Sequence, residues 1–219
     1  MIDKFVGSVA EAMAGIEDGA TILVGGFGDV GAPAALLDGL AEQGARDLTI
    51  VIVAAGRDGS KIERLVALDR IRKMVCSFVR PASLAGRLFQ QGKLDIEVVP
   101  QGTLAERVRA GGAGIEGFFT PTAADTILAE GRETRIINGK NCLLEYAIRG
   151  DVALVEAWQA DRWGNLTYRE SARNLNPVMA MGAANTIAMT RHVVGLGAIP
   201  PEHVHTPGVF VHRVVHVPS

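Results

Sequence analysis

The sequence predicts an α/β fold: a mostly parallel central sheet with helices on both faces, followed by a hairpin-rich C-terminal β portion. Three observations carry that prediction. Strand-like apolar runs alternate with helix-like ones through the first 130 residues, the pattern of parallel strands joined by covering helices. The run Thr49-Ile-Val-Ile-Val53 is apolar and β-branched with no polar alternation, which suits a central strand buried on both sides. Beyond residue 131 the texture changes, and Arg135-Ile-Ile-Asn-Gly-Lys140 sets an Asn-Gly turn between strand-like pieces.

In chain order, a helix is predicted near 8–16 and a strand near 21–25. A helix follows near 33–43, where Pro33 suits the first turn. Strands near 48–54, 73–78 and 94–99 are separated by helices near 59–67 and 82–91, with further helices near 101–110 and 122–130. Connections are short. After residue 131 come hairpins, with Asp161-Arg-Trp-Gly-Asn165 as a second turn, then a helix near 177–184 and a closing strand near 209–217. No internal repeat, low-complexity tract or linker divides the chain, so residues 1–219 are read as one domain.

Bulk properties narrow the function classes. Hydrophobic residues make up 48%, charged residues 21%, and the net charge is −2, the balance of an ordinary globular surface. No basic stripe with interleaved aromatics points to nucleic acid. The start Met1-Ile-Asp-Lys-Phe has no long apolar segment, and runs such as Ile50 to Gly56 fall far short of the ~20 residues of a membrane span. A cytoplasmic protein is expected. Cys76 and Cys142 read as reduced core thiols, not as a disulfide or metal pair. His203 and His205 could share a metal only with further ligands, and His212 and His216 lie too far apart on one strand face to share one.

The most informative stretch is Asp18-Gly-Ala-Thr-Ile-Leu-Val-Gly-Gly-Phe-Gly-Asp-Val-Gly-Ala-Pro33, an apolar strand running into a glycine-dense turn and then a helix. Glycines let the backbone take φ > 0 and approach a ligand, and N–H groups at the helix start attract an anion or developing oxyanion. Gly26-Phe-Gly28-Asp-Val-Gly31 also satisfies the nominal dinucleotide fingerprint. A nicotinamide site wants an acidic residue at the end of the second strand, where Ala54-Ala55 stand; Asp47 lies at the other end. A bare structural turn is the third reading.

The segment resembles the signature of the alpha subunit of family I CoA-transferases, through Asp18-Gly19, Gly25-Gly26-Phe27, Gly31 and Pro33. Further similar segments follow in order: Val99-Pro-Gln-Gly-Thr-Leu-Ala-Glu106, Arg109-Ala-Gly-Gly-Ala-Gly114, Phe119-Thr-Pro-Thr122, Asp161-Arg-Trp-Gly-Asn-Leu-Thr-Tyr-Arg169, Ser171-Ala-Arg-Asn-Leu-Asn-Pro177 and Thr206-Pro-Gly-Val-Phe-Val211. They span nearly the whole chain.

The resemblance implies the CoA-transferase fold, with coenzyme A thioester as substrate and no tightly bound cofactor. It implies that CoA passes between two carboxylic acids through covalent intermediates on a glutamate. That glutamate belongs to the beta subunit, in a Ser-Glu-Asn-Gly context this chain lacks, so a beta-subunit partner, as heterodimer or heterotetramer, would complete the site. Glu106, Glu145 and Glu170 are read as structural. The resemblance assigns CoA contact to Gly25, Gly26, Phe27, Gly28, Asp29, Val30 and Gly31. Gln101 matches a glutamine lining the family's active site, where its amide can donate to a carbonyl or oxyanion; it can also simply tie the helix start to local backbone. Gly102 would let the backbone pass close to the acyl group, or turn the chain.

The segment Arg173-Asn-Leu-Asn176 reads either as a carboxylate-positioning arginine or as a loop tied down by asparagines, and Trp163 and Tyr168 as packing residues beside a turn. Departures from the family pattern bear on substrate. Val53-Ala54-Ala55 stands where many relatives carry polar amides, Ala123-Ala124-Asp125 replaces Gly-x-Gly, and Thr190-Arg191-His192 stands where relatives tend to be acidic. The resemblance leans to family members that use 3-oxoadipate with succinyl-CoA as donor, through Gly44-Ala-Arg-Asp-Leu-Thr-Ile50, Lys73-Met-Val-Cys-Ser-Phe78 and Arg162-Trp-Gly-Asn-Leu-Thr-Tyr-Arg169. Acetoacetate or a short-chain acid is the alternative acceptor. A nicotinamide oxidoreductase and a non-catalytic scaffold subunit are the alternatives of other classes.

Overall fold

Apolar runs too short and too β-branched to be helices pair side by side, and the helices between them fold back over the sheet. The chain is seen as a computed structural model that describes residues 1–218. Its first half runs β1 (Phe5–Val6), α1 (Val9–Met13), β2 (Thr21–Val24), α2 (Ala34–Gln43), β3 (Leu48–Ala54), α3 (Lys61–Ala67), β4 (Ile71–Phe78), α4 (Leu84–Gln90), β5 (Asp95–Val98) and α5 (Gln101–Gly112). Then come β6 (Gly117–Thr120), β7 (Thr134–Ile137), β8 (Lys140–Tyr146), β9 (Gly150–Ala160), β10 (Leu166–Thr167), α6 (Asn176–Met181), β11 (Ala183–Val193) and β12 (Arg213–His216).

The main sheet has the order β1-β12-β11-β9-β2-β3-β4-β5, all parallel, with β10 antiparallel on β9. Successive side chains alternate between its faces. Ile22, Val24, Ile50 and Met74 pack with Met13, Leu36, Leu40 and Leu65 under α1 to α3. Leu23, Val51, Val75 and Val155 face Leu104 and Val108 of α5 and Met179 of α6. Helices therefore cover both faces, as the alternating pattern predicts. Cys76 lies in the first of these layers, and burial pushes its thiol up to about 11.

Four expectations are corrected. No α-helix spans 122–130; after β6 the chain turns, with Ala123 at φ 65°, and makes only a 3-10 turn at Ile127–Ala129. Ile127 is 77% exposed, so an amphipathic helix there has no surface on which to bury its stripe. The C-terminal β portion does contain the expected hairpins: β7 and β8 join through Asn138-Gly139, both at positive φ, and Asp161–Asn165 turns β9 into β10. Yet β9 and β11 are long parallel strands of the main sheet and occupy its middle. The helix near 177–184 is shorter, at Asn176–Met181, and the closing strand covers only Arg213–His216, preceded by a 3-10 turn at Gly208–Phe210.

The small antiparallel sheet β6-β8-β7 is pinned to the main sheet by charge. Glu145 of β8, 1% exposed, accepts a hydrogen bond from Arg132 at 2.8 Å and lies 3.7 Å from Arg107 of α5. Arg107 in turn donates to Glu97 of β5 at 2.7 Å, and Glu97 is 2.8 Å from Lys73 of β4. Burial alone would raise the Glu97 carboxyl, but hydrogen bonds from Arg107 and Lys73 outweigh it and hold it below the ordinary carboxylate range.

Two histidines close the far side as hydrogen-bond acceptors. His205 Nδ1 receives the Tyr168 N–H and His212 Nδ1 receives the Thr186 N–H, each at 3.0 Å, which requires neutral rings. Burial lowers both pKa values, assisted at His205 by Arg173 and His203 and at His212 by Lys4 and Arg213. Neutral in the fold and free to protonate when unfolded, they stabilise the protein fully above the ordinary imidazole value near 6.5. That stability falls as pH drops from there and is gone once it passes below the depressed folded values. Urea unfolding midpoints should decline as pH falls below about 6.5, and the decline should be shallower in His205→Asn. An equally steep decline in that variant would refute the assignment for His205.

Candidate functional site

The strand order reverses direction between β2 and β9: from β2 the chain steps through β3, β4 and β5, and from β9 it steps the other way to β11 and β12. In an open parallel sheet, the crevice beyond the carboxyl ends at such a point is where ligands bind. The glycine loop 25–31 sits there.

Its shape is set by a few contacts. Gly25 donates its N–H to Leu154 O of β9 at 2.9 Å. Phe27 and Val30 exchange backbone hydrogen bonds at 3.0 and 3.2 Å, leaving Gly28-Asp29 as a tight turn with Gly28 at φ 61°. Among the described residues the Gly28 and Asp29 N–H groups have no backbone acceptor, and a Cβ on Gly28 would meet open space. They are free to donate to a ligand. Phe27 and Val30, half exposed, stand outward.

Asn176, fully buried at the start of α6, holds the loop from behind. Its Nδ2 donates to Gly31 O at 3.0 Å and to Ala172 O at 2.9 Å, while its Oδ1 accepts from Glu156 N at 3.1 Å. Asn174 Nδ2 adds a bond to Val30 O at 2.9 Å. This close approach dictates two glycines: a Cβ on Gly25 would fall 1.9 Å from Asn176 Oδ1, and one on Gly31 would fall 2.5 Å from Ala172 O. Of the two sequence readings of Arg173-Asn-Leu-Asn176, the asparagine tie is what the structure contains. Its distant partner, residues 30 and 31, has no signal in the local sequence.

The loop is a wall between two recesses. On one side, beyond β2, β3 and β4, a cavity of ≈ 140 Å³ is lined by Gly28, Asp29, Ala54, Arg57, Phe78 and Arg80 among others. Arg57 forks onto Asp29, tying the segment after β3 to the glycine turn. On the other side a ≈ 390 Å³ recess is bounded by Val30, Gly31, Trp158 and Arg169. Here Arg191 donates to Glu156 at 2.8 Å, and the Trp158 ring lies between His192, edge-on at 4.2 Å, and the Arg169 guanidinium at 4.8 Å.

Gln101 is the first residue of α5, exposed, on the same carboxyl edge but beyond β5. Three strand spacings separate β5 from β2, about 14 Å, so the chain does not bring Gln101 into contact with the glycine loop. A Cβ on Gly102 would meet nothing within 4 Å, so packing does not demand glycine there. Glu106 is engaged by Arg109 at 2.7 Å, which lowers its pKa, and Glu170 is exposed beside Arg169. Ala54 lines the smaller recess and Ala55 is buried, while Asp125 accepts from Asn141 at 2.8 Å in the small sheet. Strand β3 ends at Ala54 without the carboxylate a dinucleotide site requires. Among the described residues no group of three His, Cys, Asp or Glu side chains could hold a metal, and no helix is long and apolar enough to cross a membrane.

Comparison with known proteins bears on this crevice. The sequence profile described as coenzyme A transferase matches residues 6–217. The chain is 51% identical over 219 residues to the A-type subunit of the 3-oxoadipate CoA-transferase of Pseudomonas putida, covering 99% of this chain and 95% of that one. It is 46% identical over 212 residues to the A-type subunit of the probable succinyl-CoA:3-ketoacid coenzyme A transferase of Bacillus subtilis, covering 97% and 89%. The crystal structure of glutaconate coenzyme A-transferase from Acidaminococcus fermentans superposes with a TM-score of 0.86 at 19% identity, over 98% of this chain and 76% of that one, a likeness of fold. By the profile match over nearly all of its length and these full-length relatives, the chain belongs to the coenzyme A transferase family.

Proposed function

We propose that the chain is the A-type subunit of a two-subunit transferase that moves CoA from succinyl-CoA to a 3-oxoacid, with 3-oxoadipate as the leading acceptor. The observation that carries this is the 51% identity, over nearly all of both chains, to the A-type subunit of a 3-oxoadipate CoA-transferase. The chain acts as one domain in the cytoplasm, with no resident cofactor, metal, nucleic acid or membrane partner, and with the CoA thioester as substrate.

The nucleophile, a glutamate supplied by the partner, attacks the succinyl thioester, giving a mixed anhydride and CoA thiolate. The thiolate returns to the glutamyl carbonyl and releases succinate, leaving a glutamyl-CoA thioester. The acceptor carboxylate attacks that thioester, and the thiolate, expelled again, reopens the second anhydride at the acceptor's carbonyl, restoring the glutamate. This chain contributes donors: the free N–H groups of Gly28 and Asp29 and the Gln101 amide are the candidates for the oxyanions and for CoA. One well-placed donor is worth about 3–4 kcal/mol of barrier. The 46% identical relative named for 3-ketoacids supports a second reading, in which acetoacetate or another short acid is the acceptor.

Mixing the chain with its B-type partner should produce CoA transfer from succinyl-CoA, fastest to 3-oxoadipate, and neither component should turn over by itself. Activity of this chain in isolation, or borohydride trapping of an acyl group on one of its own carboxylates, would refute the proposal. A complex that assembles but transfers nothing would favour the scaffold reading.

A further inference from the structure

We infer that the recess beyond β2, β3 and β4 seats a dicarboxylic substrate by its second carboxylate, with Arg80 as the receiving cation and Arg57 beside it. This deepens, and rests on, the transferase reading above.

The recess is apolar below and cationic above. Val24, Ile52 and Ala54 line its apolar part, and the half-exposed Phe78 stands with Arg57, Lys61 and Arg80 toward its mouth. Its volume, ≈ 140 Å³, is close to that of cavities that hold a six-carbon body such as benzene. Charge at the rim is not balanced. Lys61 is committed to Asp38 at 2.8 Å, and Arg57 is hydrogen-bonded to Asp29. Arg80 has no carboxylate within 4 Å among the described residues; its guanidinium stands 5.5 Å above the Phe78 ring, with no hydrogen-bond acceptor on its donors. An unclaimed guanidinium over an apolar floor matches a short alkyl chain ending in a carboxylate, which its fork can bind bidentately.

Ala54 gives this arrangement its selectivity. A polar amide at this position would crowd the floor and offer hydrogen bonds to any acid, whereas a methyl group leaves room for methylenes and makes the rim cation the distinguishing contact. A monocarboxylic acid of the same length would bury the same chain and leave Arg80 in water. Two substrates of the proposed reaction carry the second carboxylate, the succinyl group of the donor and 3-oxoadipate. The shared chemistry is a terminal carboxylate two or more carbons from the reacting one.

The test is the assembled two-subunit enzyme with Arg80→Met, which keeps an apolar stem on Phe78 and removes the charge. The ratio of kcat/KM for 3-oxoadipate over 3-oxohexanoate should fall roughly tenfold or more, the lower range for a charge-assisted hydrogen bond at a solvent-open site. A fall confined to succinyl-CoA identifies the donor as the occupant, and a fall for 3-oxoadipate identifies the acceptor. No loss for either diacid substrate, or a loss for 3-oxohexanoate as large as that for 3-oxoadipate, would overturn the inference. Calorimetry on the same complex reads binding without turnover: adipate should bind more tightly than hexanoate, and Arg80→Met should erase the difference. A parent complex that prefers adipate in this way yet transfers no CoA would refute the transferase reading while retaining the site. One with no preference for adipate would refute the site whatever the activity.

Discussion

Gly25→Ala should collapse the glycine loop, lowering stability by about 3 kcal/mol or more and removing CoA transfer from the assembled enzyme. The added Cβ would fall 1.9 Å from Asn176 Oδ1 and 2.8 Å from its Cγ. Asn176 cannot step aside, because it is fully buried and its amide bridges Gly31 O, Ala172 O and Glu156 N. Moving it would strand an N–H and two carbonyl oxygens away from water. Gly28→Ala is the control, since its Cβ meets open space and the cost is the left-handed backbone alone, about 1 kcal/mol. Urea unfolding measures both. In an Asn176→Ala background, itself destabilised, Gly25→Ala should cost much less, because the side chain it strikes is gone. Full additivity of the two substitutions would mean that the asparagine does not shape the loop.

Glu145→Ala should cost about 3–5 kcal/mol, because it removes a buried carboxylate from between Arg107 and Arg132 and leaves the little-exposed Arg107 without one of its partners. The Arg107 side chain is only 11% exposed, and its other partner, Glu97, is already shared with Lys73. Unlike the many solvent-facing pairs on this surface, such as Arg149 with Glu116, this one links two sheets. Hydrogen exchange in 134–146 should therefore quicken more than in β3, and Glu145→Gln, which keeps the shape and part of the hydrogen bonding, should fall between the two. A change below about 0.5 kcal/mol would show that the small sheet is held by packing alone.

Much of the first half is legible from local pattern, and the reason is physical. Strands such as Leu48–Ala54 are buried on both faces, so their apolar, β-branched character is unbroken, and Gly44 at φ 99° stops the helix before them. Strands β9 and β11 do not announce themselves as members of the main sheet. Gly150-Asp-Val-Ala-Leu-Val-Glu-Ala-Trp-Gln-Ala160 is rich in alanine and carries Asp and Glu, residues with weak strand preference. Parallel partners on both sides override that preference. Pro121-Thr-Ala-Ala-Asp125 carries the opposite lesson: despite its helix-forming alanines, Ala123 takes the left-handed conformation at φ 65° and no helix follows. At the site, the glycine loop stands out through composition. Asn176 can be suspected of tying a loop, but the loop it ties is some 145 residues away in sequence. The cations at residues 57 and 80 meet only because β3 and β4 end side by side.

The pairing of β2 with β9 also governs how the protein is made. When the ribosome has produced β2 to β5, one edge of that nascent sheet, Thr21–Val24, still lacks the neighbour that appears only with Gly150–Ala160. Its amide and carbonyl groups then offer a template to any other extended chain, and the seam must wait for a long-range, slow-forming contact. The same seam that creates the crevice therefore stays open until the second half of the chain is made, before β11 and β12 can add beyond it, and that interval is when aggregation threatens.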